Sequence, residues 1–192
     1  MPTLIAITTA ATAVIAALVV IVIAALGLFA LLNRRRRLHT RFGPEYDRTV
    51  EKLGAYKGES ELRKREKRVE DLHIRPLSRA DRERFAAEWL AVQREFVDNP
   101  AKSLTHADEL VGEVMAARGY PVRDFDARAE DISVNHARVV ENYRAAHHIA
   151  LANARGEATT EEIRQAIIHY RVLFDDLVPA RPASEYAAAA GR

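Results

Sequence analysis

Seven histidines, six tyrosines and no cysteine set the chemistry open to this chain. Without a thiol there is no disulfide framework, thiolate nucleophile or thiolate zinc site, which excludes several enzyme classes at once. Histidine is then the natural metal ligand or acid–base group. His147 is the most informative of the seven, because at helical spacing it shares an apolar side with Val140, Tyr143 and Leu151. His148 falls on the wet side with Glu141 and Arg144, and His169 borders an apolar stripe through Ile163, Ile167, Tyr170, Phe174 and Leu177. If the two helices carrying these residues pack antiparallel, Tyr143, His147, His169 and Tyr170 approach one another as a candidate pocket or interaction site. The plainer reading, which the pattern favours, is a pair of boundary histidines satisfied by hydrogen bonds.

No Walker loop, GxGxxG, GxSxG, HExxH or EF-hand pattern is present, so no nucleotide or familiar hydrolase site is signalled. A di-iron bundle needs two Glu-x-x-His pairs, and the only match, Glu70 with His73, lies in a charged run and is read as accidental. No cofactor and no metal set is expected. Glu161 and Glu162 suit a helix start, Asp175 and Asp176 lie unfavourably near a helix end, and Trp89 is read as core.

The elements that must position these residues begin with an apolar stretch. Residues 4–32 contain no charge, and only Thr8, Thr9, Thr12 and Gly27 fall outside the apolar set. A helix of that length exceeds a hydrocarbon core of about 30 Å, so a transmembrane helix over residues 4–32 is expected. Arg34, Arg35, Arg36 and Arg37 follow at once; by the positive-inside rule they fix an N-out topology with the main domain cytoplasmic, and they hold anionic headgroups at the membrane surface. A secretory signal peptide would carry its basic residues on the other side. Positions 3, 6, 10, 13, 17, 20, 24 and 27 are small in all but one case, which suggests a homodimer seam within the bilayer.

Removing the four arginines leaves 25 basic against 27 acidic residues, so the basic pI belongs to the flank alone. From Glu59 to Asp71 ten of thirteen residues are charged, five of each sign, which reads as a solvated stalk and argues against nucleic-acid binding. Only Leu62, Val69 and Leu72 in that region have the type and spacing to touch a partner. Residues 33–76 are therefore expected to form a basic flank and charged juxtamembrane stalk helix, and residues 77–178 a bundle of about four helices, with an Ala-rich loose tail over 179–192. Ser78 with Asp81, Asn99 with Pro100, Gly119 with Pro121, and Thr159 with Glu162 punctuate that bundle. Val122 to Val134 reads as a connection with a short helical turn that sets Phe125 and Ile132 on the core, and Asn135 as the cap of the next helix. No stretch alternates with period two, so the fold class is all-α.

Arg41-Phe42-Gly43-Pro44-Glu45-Tyr46-Asp47-Arg48, Arg75-Pro76-Leu77-Ser78, Arg118-Gly119-Tyr120-Pro121 and Val140-Glu141-Asn142-Tyr143-Arg144-Ala145-Ala146-His147 stand in that order. Over about residues 41–178 the chain resembles a family of bacterial single-pass membrane proteins with a cytoplasmic helical domain and no assigned activity. The resemblance implies bacterial origin and inner-membrane placement and carries over no site residue. The expected function is a membrane-anchored interaction module with a lipid bilayer and a protein as partners. The alternatives are a tethered enzyme or metal-binding domain around His147, Tyr143 and His169, and a lipid-surface or envelope-stress structural protein.

Overall fold

The computed structural model describes the backbone of residues 2–121 and 124–179, and the side chains of residue 18 and of residues from 20 onward within those ranges. The described residues form eight α-helices and no strand. The chain divides between Arg41 and Phe42 into two units.

The first unit consists of α1 (Pro2–Phe42) up to Arg41. Ten large apolar side chains from Leu18 to Leu32 are 50–68% exposed and point to every side of the helix. Arg34 to Arg37 continue the same helix and are exposed. Among the described residues no helix is long and apolar enough to cross a membrane. The side chains of residues 1–17 and 19 lie outside the described residues, and with them much of the 4–32 stretch and most of the small-residue seam. The tail over 180–192 lies outside them too.

The second unit contains α2 (Pro44–Leu53), α3 (Ala55–Glu70), α4 (Arg79–Asp98), α5 (Pro100–Arg118), α6 (Phe125–Asn135), α7 (Val140–Ala154) and α8 (Thr160–Leu177). The caps explain the boundaries. The Ser78 hydroxyl accepts from the Asp81 amide at 3.0 Å, Asn99 accepts from Lys102, and Thr159 with Glu162 closes both halves of a capping box. Helices α4, α5, α7 and α8 pack pairwise around one core in which Phe85, Trp89, Leu104, Tyr143, Tyr170 and Leu173 are fully buried. Trp89 stacks at a tilt on Phe174 with ring centroids 4.8 Å apart, as expected of a core indole.

Three expectations change. The segment read as a connection is the eleven-residue helix α6, capped by Asp124 and burying Ile132 together with Asp131 and Ser133, so the bundle region has five helices. Two buried polar residues interrupt its apolar period, so the sequence shows a short helical turn rather than the full helix. Asn135 is its last residue, not the cap of the next helix; its amide donates to Tyr120 Oη at 3.4 Å, and α7 starts at Val140 after a turn.

The third change concerns the charged run. Helix α3 is not a free solvated stalk but packs on α2 and α6, burying Leu62, Arg65 and Val69. Gly58 permits the close crossing of α2, since a Cβ there would meet the Val50 backbone at 3.0 Å. Charge closes the joint. Glu45 Oε1 accepts from Arg65 Nη1 and from Arg144 Nη2, both at 2.9 Å. Arg65 Nη2 donates to Glu130 at 2.8 Å, and Arg68 Nε donates to Asp131 at 2.7 Å. Helices α2, α3, α6 and α7 thus meet in one largely buried ionic network.

Gly119 ends α5 at φ +98°, and a Cβ there would stand 2.7 Å from the His73 carbonyl oxygen. Gly156 has φ +72° with open space around it. Gly156→Ala is expected to cost about 1 kcal/mol through backbone conformation alone, and Gly119→Ala at least about 2 kcal/mol because the collision adds to it. Urea unfolding of both variants checks the difference, and equal costs would contradict the close approach.

Candidate functional site

Helices α7 and α8 are antiparallel: Asn142 meets His169 and Tyr143 meets Tyr170, while residues 155–159 join the opposite ends. This arrangement brings three of the four expected residues together. Tyr143 and Tyr170 are fully buried, edge to face, with centroids 6.2 Å apart. Tyr170 Oη donates to Asp108 Oδ1 on α5 at 2.6 Å, and His147 Nδ1 stands 4.0 Å from the same oxygen. The His147 ring lies flat on Phe125 of α6, with centroids 3.6 Å apart. His169 does not join them, because its Nδ1 pairs with Asn142 Oδ1 at 2.8 Å instead.

Electrostatics fixes what this cluster can do. Burial raises the Asp108 carboxyl, but the hydrogen bond from Tyr170, with the nearby His147 imidazole and the Arg128 guanidinium, outweighs it and holds the group below its ordinary value. Burial, and for Tyr170 the adjacent carboxylate, pushes both phenols well above theirs. The result is an ionised carboxylate beside two neutral phenols, of which Tyr170 donates to it and neither serves as a base near neutral pH. The Tyr143 hydroxyl and His147 Nδ1 have no hydrogen-bond partner among the described residues. Those residues also contain no group of three or more His, Asp or Glu placed to hold a metal ion.

Sequence reasoning missed Asp108, Phe125 and Arg128 as members of the cluster. Asp108 had a signal, since it sits beside the stripe of Leu104, Ala107 and Val111 where a charge needs a partner. Arg128 had none, being in a segment read as a connection.

A second feature lies on the outer face of α4. Leu90 is 58% and Val97 80% exposed, and Leu90 borders a groove of about 790 Å³ whose other wall is Arg171, Phe174 and Val178 of α8 and the following turn. The cations of that groove are engaged: Arg79 pairs with Glu83, Arg171 with Asp175, and Arg82 donates to the Leu77 carbonyl.

No family model, curated protein or solved structure matches the chain.

The Asp108 cluster generates a pH prediction. Its folded pKa lies below the unfolded one, so the stabilisation is fully present above the unfolded value near 3.8 and is lost as pH falls through the folded value. Asp108→Asn is therefore expected to flatten the acid side of the stability profile, measured by urea melts from neutral pH downward. Tyr170→Phe should cost about 1.5 to 3 kcal/mol at neutral pH by removing a hydrogen bond to a charged group. His147→Ala, which loses the Phe125 stack, should cost about 1 to 2 kcal/mol.

Proposed function

We propose that this chain is a membrane-anchored helical interaction module, held by α1 and presenting its helical body to a protein partner in the cytoplasm. The observation that carries the reading is the exposure of apolar side chains on every side of α1 between Leu18 and Leu32. A helix that is apolar all round belongs in an apolar phase or among other helices, not in water. Arg34 to Arg37 follow where a positive-inside flank belongs, and each can attract an anionic headgroup by about 1 kcal/mol near the surface. The resemblance to bacterial single-pass membrane proteins points the same way and suggests the inner membrane. A paired helix through the small-residue seam is a compatible further arrangement.

Support for the partner comes from the body. Its surface charges are largely paired with one another along the helices, whereas Leu90 and Val97 stay open on α4. An apolar strip among neutralised charges is a surface that binds by shape and burial rather than by electrostatic attraction.

Cysteines introduced singly at Thr3 and Ser184 and labelled from outside intact cells test the topology. Labelling at Thr3 alone is expected, and labelling at Ser184 alone would reverse the orientation. Recovery of the chain in the soluble fraction after cell lysis would remove the anchor altogether. A photocrosslinking residue at Leu90 should capture a specific protein in membranes, and Val97→Arg should reduce that product at least about fivefold with the fold unchanged.

A further inference from the structure

The clefts of the helical body differ in whether their cations are engaged. Along the α4/α8 groove Arg79, Arg82 and Arg171 all have partners. In the shallow clefts elsewhere on the body Lys102 pairs with Glu95, Arg94 bonds the Leu90 carbonyl, Arg144 pairs with Glu45, and Arg48 lies 3.9 Å from Glu141. Arg128 is the exception. It lines a cleft of about 350 Å³ between α5 and α6 and makes no hydrogen bond or ion pair among the described residues. Its Nε is buried without a partner. The nearby carboxylate of Asp108 is already held by Tyr170. The guanidinium lies across α5 at its bare position, where a Cβ on Gly112 would come within 3.1 Å of Arg128 Nη1.

The rest of the lining defines what fits. Met115, Ala116 and Pro121 supply an apolar wall, and Glu109 and Glu113 supply exposed carboxylates. A simple anion would meet the guanidinium but also two like charges; a simple cation would meet the carboxylates but also an unpaired guanidinium. A zwitterion satisfies both signs. The volume is near the lower end of the range usual for small-molecule sites, which suits a ligand of few heavy atoms.

We propose that the α5/α6 cleft binds a small apolar α-amino acid, its carboxylate on Arg128, its ammonium toward Glu109 and Glu113, and its side chain against Met115, Ala116 and Pro121. This site is independent of the anchoring reading and of the α4 face. It makes the body a sensor or carrier of a small metabolite as well as a docking module.

The chain supplies its own probe, because it has only two methionines, Met1 and Met115, and Met115 lines the cleft. The full chain in lipid nanodiscs, carrying isotope-labelled methionine methyl groups, is titrated with leucine, with isocaproate, which lacks the ammonium, and with isoamylamine, which lacks the carboxylate. Leucine is expected to shift the Met115 resonance saturably and leave Met1 unmoved, with both analogues at least about tenfold weaker. Arg128→Gln should abolish the leucine shift. Ala116→Phe, which fills the cleft from an exposed position, should abolish it too and keeps the test valid if the Arg128 variant does not fold. Absence of a saturable Met115 shift, equal binding by either analogue, or retained leucine affinity in either folded variant would overturn the proposal.

Discussion

The helical body depends on one carboxylate oxygen. Glu45 Oε1 accepts from Arg65 on α3 and Arg144 on α7, so the α2–α3 hairpin and a helix some 99 residues further along the chain converge on a single buried atom. The main apolar cluster is built from α4 to α8 and the residues that flank them, and it includes neither Leu62 nor Val69. The α2–α3 hairpin is thus attached mainly through its own small apolar set and the ionic network. Such a network is a poor source of net stability, because desolvation offsets much of the attraction. Its asymmetry matters more: loss of Glu45 would leave Arg144 without its carboxylate and Arg65 with Glu130 as its remaining close one, and breaking a buried pair of this kind costs about 3 to 5 kcal/mol. Glu45 Oε2, Arg65 Nε, Asp131 Oδ2 and Arg144 Nε have no hydrogen-bond partner among the described residues, so the network specifies how the hairpin sits without being fully satisfied itself.

The same logic, with different surroundings, governs Asp108. There a carboxylate is retained inside an aromatic environment by a phenol at 2.6 Å and by positive charge at longer range. Two phenols held neutral and an imidazole packed flat on a phenyl ring are rigid groups, which suits a polar anchor for four converging helices. Arg128 links this anchor to the surface, since it bears electrostatically on Asp108 and on both tyrosines while lining an outer cleft. A change at the cleft therefore has a direct electrostatic route into the core.

Much of this was legible in the residues, and what was not has physical reasons. Helices α4, α5 and α8 announce themselves through caps and apolar stripes, because capping is local and needs no tertiary partner. The approach of Tyr143, His147 and Tyr170 followed from helical spacing and a short link. Leu62 and Val69 were recognisable as the apolar positions of α3, yet the charges around them made the helix look solvated. Arg65 finds its partners 20 residues before it and 65 after it, and Arg144 finds Glu45 at a separation of 99. No local pattern encodes a pairing at that range. The full length of α6 beyond a short helical turn stayed hidden for a related reason, since the buried Asp131 is held by Arg68 of α3. His169 and Tyr170 are neighbours in sequence, but successive helical positions point about 100° apart, so one reaches Asp108 while the other turns to Asn142.

Charge distribution finally separates the two kinds of contact this chain can make. Four successive arginines concentrate the net positive charge at one point, and the remainder is close to neutral. On the body, Arg79 pairs with Glu83, Arg84 with Glu88, Arg164 with Glu161 and Arg171 with Asp175, each within one helical turn. Exposed pairs of this kind add little stability, but they cancel the field that would draw charged partners from a distance. Long-range attraction is left to the arginine run, which in the proposed anchored arrangement meets an anionic membrane surface. Selectivity at the body must then arise at short range, from the features those pairs leave unbalanced: the apolar strip of α4 and the one cleft guanidinium that, among the described residues, has no partner.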